Sequence, residues 1–425
     1  MHRFVNFKGF ADAELDLDQP VTLLIGKNGS GKTNAIEGIE LLTEIARGRP
    51  LREISDVGRG GGFEVRGGLA GCVRAEGKTF QLQFSHDIPR AADEALHLEY
   101  TVEVSAKPEP TIVSESLVIS GRVLFTTGMP NDTNGSGLNR LRYGRINGGE
   151  TMLAADRSTL PQFAAAAARS ADERLKVDAN VVASLGQYLC SSFAFDPIPN
   201  LMRQYDRIGN RVLAKHAANL SPVLYGLHTG SEEEKAALAR ILSQIKQLPE
   251  EPFEDFGFVT TDLGDVMFGL RERPDGPLID ARLLSDGTLR CLAVLTSLET
   301  TEQSSLVIIE EFDNGLHPSR AAMLVNAIWE ASERRKLNVL CTTHNPAVLD
   351  ALTPEQLKGV VVAYWDKQQK ASRLMRLLDL PHADVLLERG HLGDLVTRRI
   401  LEQHLMPGFE EKQQEEAQAW LESLP

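Results

Sequence analysis

The most constraining feature of this sequence is the eight-residue stretch GKNGSGKT, from Gly26 to Thr33. It follows an apolar run, Val21 to Ile25, and leads into a stretch with helical spacing, Lys32 to Ala46. A strand, a glycine-rich turn and a helix in this order are the setting in which GxxxxGK[ST] binds phosphate. The sequence therefore predicts a phosphate loop, against the alternative of a glycine-rich turn that contains Lys-Thr by chance.

Each residue type in this loop has a chemical reason. Glycines let the backbone turn so that its N–H groups point at a β-phosphate, and the helix beginning near Lys32 adds its positive dipole end. Lys32 is predicted to neutralise β/γ-phosphate oxygens, and the Thr33 hydroxyl to ligate Mg²⁺. The candidate nucleotide-binding residues are Gly26, Lys27, Asn28, Gly29, Ser30, Gly31, Lys32, Thr33 and Asn34.

Composition narrows the class of protein. The 425 residues are 42% hydrophobic and 24% charged, and no run approaches the roughly 18 apolar residues that span a bilayer. Together with an opening segment unlike a secretory signal, this predicts a cytoplasmic protein with no membrane partner. The formal net charge of -14 argues against bulk attraction to DNA, although a local basic face can still bind phosphate. Four widely spaced cysteines indicate structural thiols.

Two groups of predicted strands lie on either side of a helical segment. Phe80 to Phe84 and Leu96 to Val104 alternate apolar with polar residues, which is typical of half-buried antiparallel strands. From Ser158 to Leu248 the composition shifts to Ala, Leu, Arg and Glu with helical spacing, and Ser231 with Glu234 predicts a capping box.

The apolar runs Leu306 to Ile309 and Asn338 to Thr342 flank a predicted helix, Ser319 to Arg334. This is a βαβ pattern, so we expect both ends of the chain to share one parallel sheet. The predicted fold class is α/β, with a mixed and parallel β-sheet, an antiparallel β lobe and a helical lid insertion. The predicted divisions are 1–155, 156–255, 256–380 and 381–425, the last being a helical tail with an amphipathic helix at Glu410 to Leu424.

Acidic residues follow the run Leu306 to Ile309. Glu310 is predicted to hold Mg²⁺, directly or through water, and Glu311 to orient or deprotonate an attacking water. The alternative is solvated charge at the end of a buried strand. His344 follows the next apolar run and is placed to sense a γ-phosphate, whereas a lone histidine is more often structural.

A second small-residue turn, Leu284 to Thr288, precedes the helix-like stretch Leu289 to Leu298 and offers another anion-binding helix start. One chain has no need of two cradles for one triphosphate. The second is therefore predicted to serve a neighbouring copy.

These motifs together resemble a known group. GKNGSGKT, LSDGT (Leu284 to Thr288), IIEEFDNGLHP (Ile308 to Pro318) and TTHNP (Thr342 to Pro346) occur in the order of the ABC ATPase heads of the SMC, RecF and OLD-like group. Val5 to Leu17 is similar to that group's first strands. The resemblance covers the two ends of the chain, Met1 to Val104 and Phe256 to Leu380.

The resemblance implies an ABC ATPase head, a P-loop NTPase that binds ATP and Mg²⁺. Gly26 to Thr33 would be Walker A, Glu310 and Glu311 Walker B and the catalytic glutamate, and Ser285 with Gly287 the signature. Asn314 to His317 would lie in the D-loop, and His344 would be the switch histidine. It also implies a homodimer or higher homo-oligomer in which ATP joins two heads and hydrolysis releases them.

The sequence departs from that group's pattern at two places. The metal-binding acid is Glu310 where most heads have Asp, and the Q-loop glutamine has only Gln81 and Gln83 as candidates, both equally consistent with a solvent-facing strand. Val360 to Asp366 offers a single acid after His344, which argues against a Toprim nuclease domain.

Three functional hypotheses follow. The first is an ATPase switch for a separate effector protein in prokaryotic defence, the second a RecF-like DNA-repair ATPase, and the third a nucleotide-dependent scaffold with negligible hydrolysis.

Four basic residues bear on the DNA-repair hypothesis. They recur at i, i+4 spacing, which predicts that they share one helix face: Arg203, Arg207, Arg211 and Lys215. This face would either bind nucleic-acid phosphates or be an ordinary solvent-exposed helix face. Arg140, Arg142 and Arg145 are a weaker case.

Overall fold

The computed structural model describes residues 1–55, 63, 65–75, 77–88, 95–128, 138–143, 150–168, 173–248, 253–388, 390–398 and 400–405. The predicted helix at Glu410 to Leu424 and the basic residue Arg145 lie outside these residues. Among the described helices, none is long and apolar enough to cross a membrane.

The β-strands in chain order are β1 (His2–Phe7), β2 (Phe10–Leu15), β3 (Val21–Ile25), β4 (Thr79–Ile88), β5 (Leu96–Ser105), β6 (Thr111–Ile119), β7 (Arg122–Gly128), β8 (Leu138–Tyr143), β9 (Glu150–Ala154), β10 (Phe193–Phe195), β11 (Asp206–Arg207), β12 (Asp255–Thr260), β13 (Asp265–Arg271), β14 (Ile279–Asp280), β15 (Leu306–Ile309), β16 (Asn338–Thr342), β17 (Val360–Asp366) and β18 (Ala371–Arg376).

The α-helices are α1 (Lys32–Ala46), α2 (Leu51–Ser55), α3 (Thr159–Ala168), α4 (Glu173–Cys190), α5 (Pro199–Met202), α6 (Leu220–Thr229), α7 (Glu232–Ile245), α8 (Asp286–Thr300), α9 (Pro318–Arg335), α10 (Pro346–Asp350), α11 (Ala383–Glu388), α12 (Leu392–Thr397) and α13 (Ile400–His404). Short 3₁₀ turns occur at Leu69–Cys72, Gln356–Gly359 and Leu377–Asp379.

The chain divides into two compact units. The first comprises Met1–Asp18, Asn28–Ser192 and Ala363–Met375, and the second comprises Gln19–Lys27, Phe193–Val362 and the described chain from Arg376 onward. Helices α3 and α4 fall in the first unit and α5 to α7 in the second. The four-part division expected from the sequence stays a prediction.

In the first unit, β2, β1 and β4 to β9 form an antiparallel series in that spatial order, and β18 pairs with β2 in parallel. The predicted antiparallel strands at Phe80 to Phe84 and Leu96 to Val104 are confirmed as parts of β4 and β5. Helix α1 lies directly on β1, since a Cβ added at Gly38 would come within 2.4 Å of the Phe4 ring. Glycine at this position is what permits the close packing.

A buried carboxyl group joins three elements of the first unit. Glu115 on β6 accepts hydrogen bonds from the Tyr100 hydroxyl of β5 at 2.7 Å and from the Ser158 hydroxyl at 2.8 Å. It also accepts one from the Thr159 amide, at the start of α3, at 2.7 Å. Burial raises the pKa of the Glu115 carboxyl. The group therefore fixes the start of α3 against the sheet.

In the second unit, β10, β15, β16, β3 and β17 form a parallel series in that order. Every residue of β3 and β15 is buried, as continuous apolar runs predict for the centre of a parallel sheet. The expectation that both ends of the chain share one parallel sheet is confirmed, because β3 pairs with β16 and β17. With the antiparallel series of the first unit, this confirms the α/β fold class with parallel and antiparallel strands.

A smaller antiparallel sheet in the second unit has the order β11, β13, β12, with β14 paired to β13. Helix α7 begins with the predicted capping box: the Ser231 side chain accepts from the Glu234 amide, and the Glu234 side chain accepts from the Ser231 amide. Helix α8 packs between α7 and α9.

The prediction that Arg203, Arg207, Arg211 and Lys215 share a helix face is wrong. Helix α5 ends at Met202, and no helix forms from there until α6. The only regular element in this stretch is the two-residue strand β11. Gly209 has a φ of 117°, which a right-handed helix excludes, and Arg207 pairs with Asp265 of β13. The charges do recur at i, i+4 spacing, but this spacing does not produce a helix here because the pairing of β11 with β13 determines the backbone conformation.

Candidate functional site

The phosphate loop runs from the end of β3 at Ile25 to the start of α1 at Lys32. Its glycines Gly26, Gly29 and Gly31 have φ values of 142°, 78° and 116°. These values lie in the left-handed region, which side-chain-bearing residues rarely adopt. Gly26 and Lys27 belong to the second unit, and the loop from Asn28 onward belongs to the first. The backbone thus makes the sharp turns that the motif predicted.

The start of α1 offers donors to an anion. The N-cap residue is Gly31, no side chain caps this helix end, and no acidic residue lies in its first turn. The uncapped N–H groups and the positive end of the helix dipole suit phosphate oxygens. Lys32 is 7% exposed, so its ammonium is held in the loop region and does not extend freely into water.

Ser30 is a buried residue of the loop with an unused hydrogen-bonding group. Among the residues that the structure describes, its hydroxyl has no hydrogen-bond partner. Leaving a buried hydroxyl unpaired costs about 1–3 kcal/mol. A phosphate oxygen would satisfy it, and the residues of the loop therefore fit the nucleotide that the motif implies.

Acidic residues of the second unit stand at the carboxyl edge of the parallel sheet. The register aligns Ile309 with Cys341 and Cys341 with Leu23. Because these strands are parallel, Glu310 and Glu311, the residues that follow Thr342, and Gly26 with Lys27 all emerge at the same edge.

Glu311 is held in an unusual conformation. Its φ is 43°, its amide donates to the Thr342 hydroxyl at 2.8 Å, and the Asn314 side chain donates to its carboxylate at 3.2 Å. A strained backbone of this kind costs of order 1–3 kcal/mol and is common at functional sites. The Glu311 side chain is exposed, as a group that must reach a water molecule has to be.

The sequence interpretation missed Asp313. This residue is buried, and its carboxylate accepts a hydrogen bond from the Thr343 hydroxyl at 2.6 Å. Burial raises the pKa of the Asp313 carboxyl, and the nearby charge of Glu311 adds to the rise. The contact ties the loop after β15 to the loop after β16. The available signal was an acid directly before the predicted D-loop, Asn314 to His317.

His344 follows β16 and Thr343 directly, and its side chain is exposed at the same edge. Asn345, the next residue, caps α10 by accepting from the Ala347 amide at 3.0 Å. The cap fixes the direction in which the chain leaves the sheet. The structure thus brings His344, Glu310 and Glu311 together with the first two residues of the phosphate loop at one edge of the second unit.

Ser285 and Gly287 stand at the start of α8, also in the second unit. The Ser285 hydroxyl caps this helix by accepting from the Thr288 amide at 3.1 Å. A Cβ added at Gly287 would lie 3.2 Å from Leu316, which follows Glu311 closely in the chain. The predicted signature is therefore packed against the predicted D-loop.

The two predicted metal-binding residues carry the ligand type that Mg²⁺ prefers. Thr33 of the first unit has a hydroxyl oxygen and Glu310 of the second has carboxylate oxygens. Within the described ranges, no group of three or more His, Cys, Asp or Glu residues could hold a metal ion alone. A Mg²⁺ ion would therefore take most of its ligands from nucleotide oxygens and water, as is usual for this ion.

Other candidate residues belong to the first unit. Gln81 and Gln83 occupy the half-exposed face of β4, in mid-strand, as the solvent-facing alternative expected. Arg142 on β8 pairs with Glu150 of β9 at 3.0 Å. The four cysteines are unbonded to one another.

Residues 191–350 match the family model described as an AAA domain, putative AbiEii toxin, Type IV TA system. Residues 4–94 match the AAA ATPase domain model. Two separate stretches of the chain are thus similar to AAA-type ATPase domains. They contain every residue predicted to bind nucleotide or metal or to act in hydrolysis.

Curated relatives are DNA replication and repair proteins RecF. Identity is 33% over 78 residues with that of Gloeobacter violaceus, 40% over 74 with that of Rhizobium leguminosarum and 34% over 105 with that of Rhizobium meliloti. The matches cover 18%, 16% and 21% of this chain and 20%, 19% and 27% of the relatives. The chain thus spans about a fifth to a quarter of the length of the curated relatives it matches.

Solved structures with a similar trace include an Smc head bound to the C-winged helix domain of ScpA, at 10% identity and a TM-score of 0.48, covering 88% of this chain and 95% of that one. The SMC head domain from Thermotoga maritima aligns at 13% identity and a TM-score of 0.42, covering 88% and 97%.

Proposed function

We propose that this chain binds ATP with Mg²⁺, hydrolyses it, and uses the cycle as a switch between two associated copies. The observation that supports the proposal best is the convergence of the phosphate-loop start, the Glu310–Glu311 pair and His344 at one edge of a parallel sheet. The similarity of two stretches of the chain to AAA-type ATPase domains agrees with it.

Each residue has a distinct task in this proposal. Lys32 and the amides of the loop hold the triphosphate, and the Ser30 hydroxyl donates to one of its oxygens. Thr33 and Glu310 hold Mg²⁺, which when bound neutralises charge on the phosphate oxygens. Glu311 accepts a proton from the attacking water, while Thr342 holds its backbone amide and Asn314 holds its carboxylate. His344 donates a hydrogen bond to the terminal phosphate.

Association of two copies follows from the second anion-binding helix start. Ser285 and Gly287 open α8, and we assign them to the triphosphate of a neighbouring copy. ATP then stabilises the pair, and loss of the terminal phosphate weakens it, because the signature of one copy contacts that phosphate. The same change in association gives a separate effector protein a signal to recognise. A defence role for that effector agrees with the toxin–antitoxin description of the matched family.

Glu311→Gln tests hydrolysis. The substitution keeps size and hydrogen bonding but removes the base, so phosphate release should fall by about 10²–10⁴-fold while ATP binding is retained. Phosphate release is measured alongside binding of a fluorescent ATP analogue. As a control, Glu302→Gln changes the same charge at an exposed site before β15 and should leave the rate unchanged.

Equal rates for wild type and Glu311→Gln would rule out Glu311 as the base. Negligible release by both, with ATP still bound, would favour the nucleotide-dependent scaffold, in which the longer Glu310 side chain holds the metal without supporting turnover.

RecF-like DNA binding is the second candidate, favoured by the similarity to RecF proteins. Arg203 and Arg211 are paired with Asp286 and Glu234, at 2.6 and 2.7 Å. This pairing reduces the charge that these two residues offer to DNA phosphates. Under the DNA-binding hypothesis, Arg207→Glu with Lys215→Glu reverses two positive charges in the same stretch and should abolish duplex binding while leaving ATP turnover intact. Unchanged affinity for a duplex with a single-stranded gap would exclude this surface.

A further inference from the structure

A short segment of the second unit connects the two halves of the proposed ATPase machinery. We call Phe193–Arg203 the strap. It begins with β10, which pairs in parallel with β15, and the Phe195 carbonyl accepts from the Glu310 amide at 3.4 Å. Its first end is thus attached to the strand that carries both acidic residues.

The other end of the strap is attached to the signature. Arg203 donates from Nη2 to the Leu284 carbonyl at 2.9 Å and to the Asp286 carboxylate at 2.6 Å. These two acceptors stand on either side of Ser285. One guanidinium nitrogen thus donates to two acceptors, and the bond to the carboxylate is charge-assisted and therefore stronger than a neutral hydrogen bond.

Two further contacts hold the middle of the strap. Arg290 of α8 donates to the Pro197 carbonyl at 3.0 Å, and the Asp196 amide donates to the Lys215 carbonyl at 2.9 Å. Met202, immediately before Arg203, is completely buried. The strap is therefore attached along its whole length, and movement at the Glu310 end would be transmitted to α8.

We propose that Arg203 is a positioning residue: through the strap it sets the place of Ser285 and Gly287 relative to Glu310 and Glu311 of the same copy. This inference rests on the proposed function. In that function, Ser285 and Gly287 of one copy contact the triphosphate of a neighbouring copy, while Glu310 and Glu311 act on the triphosphate of their own copy. The strap links these two pairs of residues within one chain. Arg203 touches neither nucleotide itself.

Arg203→Gln tests this role, with Arg207→Gln as the matched control. Both remove one positive charge, but Arg207 lies beyond the strap and is exposed on β11. Among the described residues, its side chain makes no hydrogen bond or ion pair to the signature. We expect Arg203→Gln to lower the maximal rate of phosphate release by about tenfold, since misplacement of a remote contact costs about this much or more. ATP binding by the phosphate loop should be unchanged, and Arg203→Lys should recover part of the rate.

Asp286→Asn is a second variant that weakens the same contact from its exposed partner. The double variant Arg203→Gln/Asp286→Asn should be no slower than Arg203→Gln alone, because the two residues act through one contact. Multiplying effects would contradict the proposed linkage.

Hydrogen exchange of the full chain gives a result that does not depend on turnover. Peptides covering 283–290 should exchange faster in Arg203→Gln than in Arg207→Gln, without nucleotide. Equal exchange and equal rates in the two variants would overturn the proposal, and faster exchange with an unchanged rate would overturn the positioning role. Should the wild type itself release no phosphate, the proposed function fails, and exchange alone decides whether Arg203 fixes the signature.

Discussion

Glu311 stands in a backbone conformation that non-glycine residues adopt rarely, with a φ of 43°. Thr342 and Asn314 hold it there, and neither contact was visible in the sequence. Glu311 was predicted to be the base from a local pattern, an apolar run before a pair of acids, and this role stays a prediction. The sequence could not predict the backbone conformation of Glu311, because Thr342, which holds its amide, lies on a neighbouring strand 31 residues away in the chain.

Asp313 illustrates the same limit. Its partner Thr343 lies beyond the whole of α9, and only the pairing of β15 with β16 brings the two residues together. The residues of the phosphate loop are the opposite case. They are contiguous, so their local order alone predicted the turn and the helix start that the structure has.

Two glycines of the phosphate loop allow a matched test of packing. Both have positive φ, but a Cβ at Gly31 would lie 3.0 Å from Ser372 and 3.1 Å from Phe10, whereas a Cβ at Gly29 would meet nothing within 4 Å. Each Gly→Ala change forces a left-handed alanine, at about 1–2 kcal/mol. Gly31→Ala adds the cost of overpacking, so it should lower the free energy of unfolding by about 2–4 kcal/mol. Urea denaturation measures both, and equal losses would show that the first unit yields easily at Ser372.

At the scale of elements, the sequence predicted the bounds of β3, α1, β15 and β16 as the structure has them. Each is a stretch whose apolar residues follow a strand or helix pattern, and each is bounded on at least one side by glycine, proline or a polar residue. The segment from Arg203 to Lys215 failed the same test, because charge spacing is a weak signal where Gly209 and the β11–β13 pairing govern the backbone.

Strand β1 supplies a prediction about pH. Burial lowers the pKa of the His2 imidazole to about 3, and its ring lies 5.2 Å from that of Phe84. Folding therefore favours the neutral form of His2. The contribution of this group to the free energy of unfolding is present in full above the unfolded-state pKa of 6.5 and is lost as the pH falls from there towards 3. The slope is about 1.4 kcal/mol per pH unit for this one group.

His2→Phe keeps a ring at this position and removes the titrating group. The free energy of unfolding, measured with urea at pH 7, 5.5 and 4.5, should therefore fall less steeply with decreasing pH in His2→Phe than in the wild type. All other titrating groups are the same in the two proteins, so the difference reports on His2. Parallel curves for the two proteins would show that His2 can be protonated within the folded sheet.

For the molecule as a whole, one chain carries two anion-binding helix starts, at α1 and at α8. The phosphate loop crosses from the second unit to the first between Lys27 and Asn28. The signature, both acids and His344 all belong to the second unit. The central claim is that Lys32 of one copy and Ser285 of another complete a single site.

Mixing two inactive variants tests this claim most directly. Lys32→Ala removes the phosphate-binding ammonium, and Ser285→Asp keeps a good helix cap while placing a negative charge against a triphosphate. Each variant alone should release no phosphate. In an equal mixture half of the pairs are mixed, each with one intact site, so about a quarter of the wild-type rate should return. A mixture no faster than its separate components, with both variants folded and associating, would contradict the shared site.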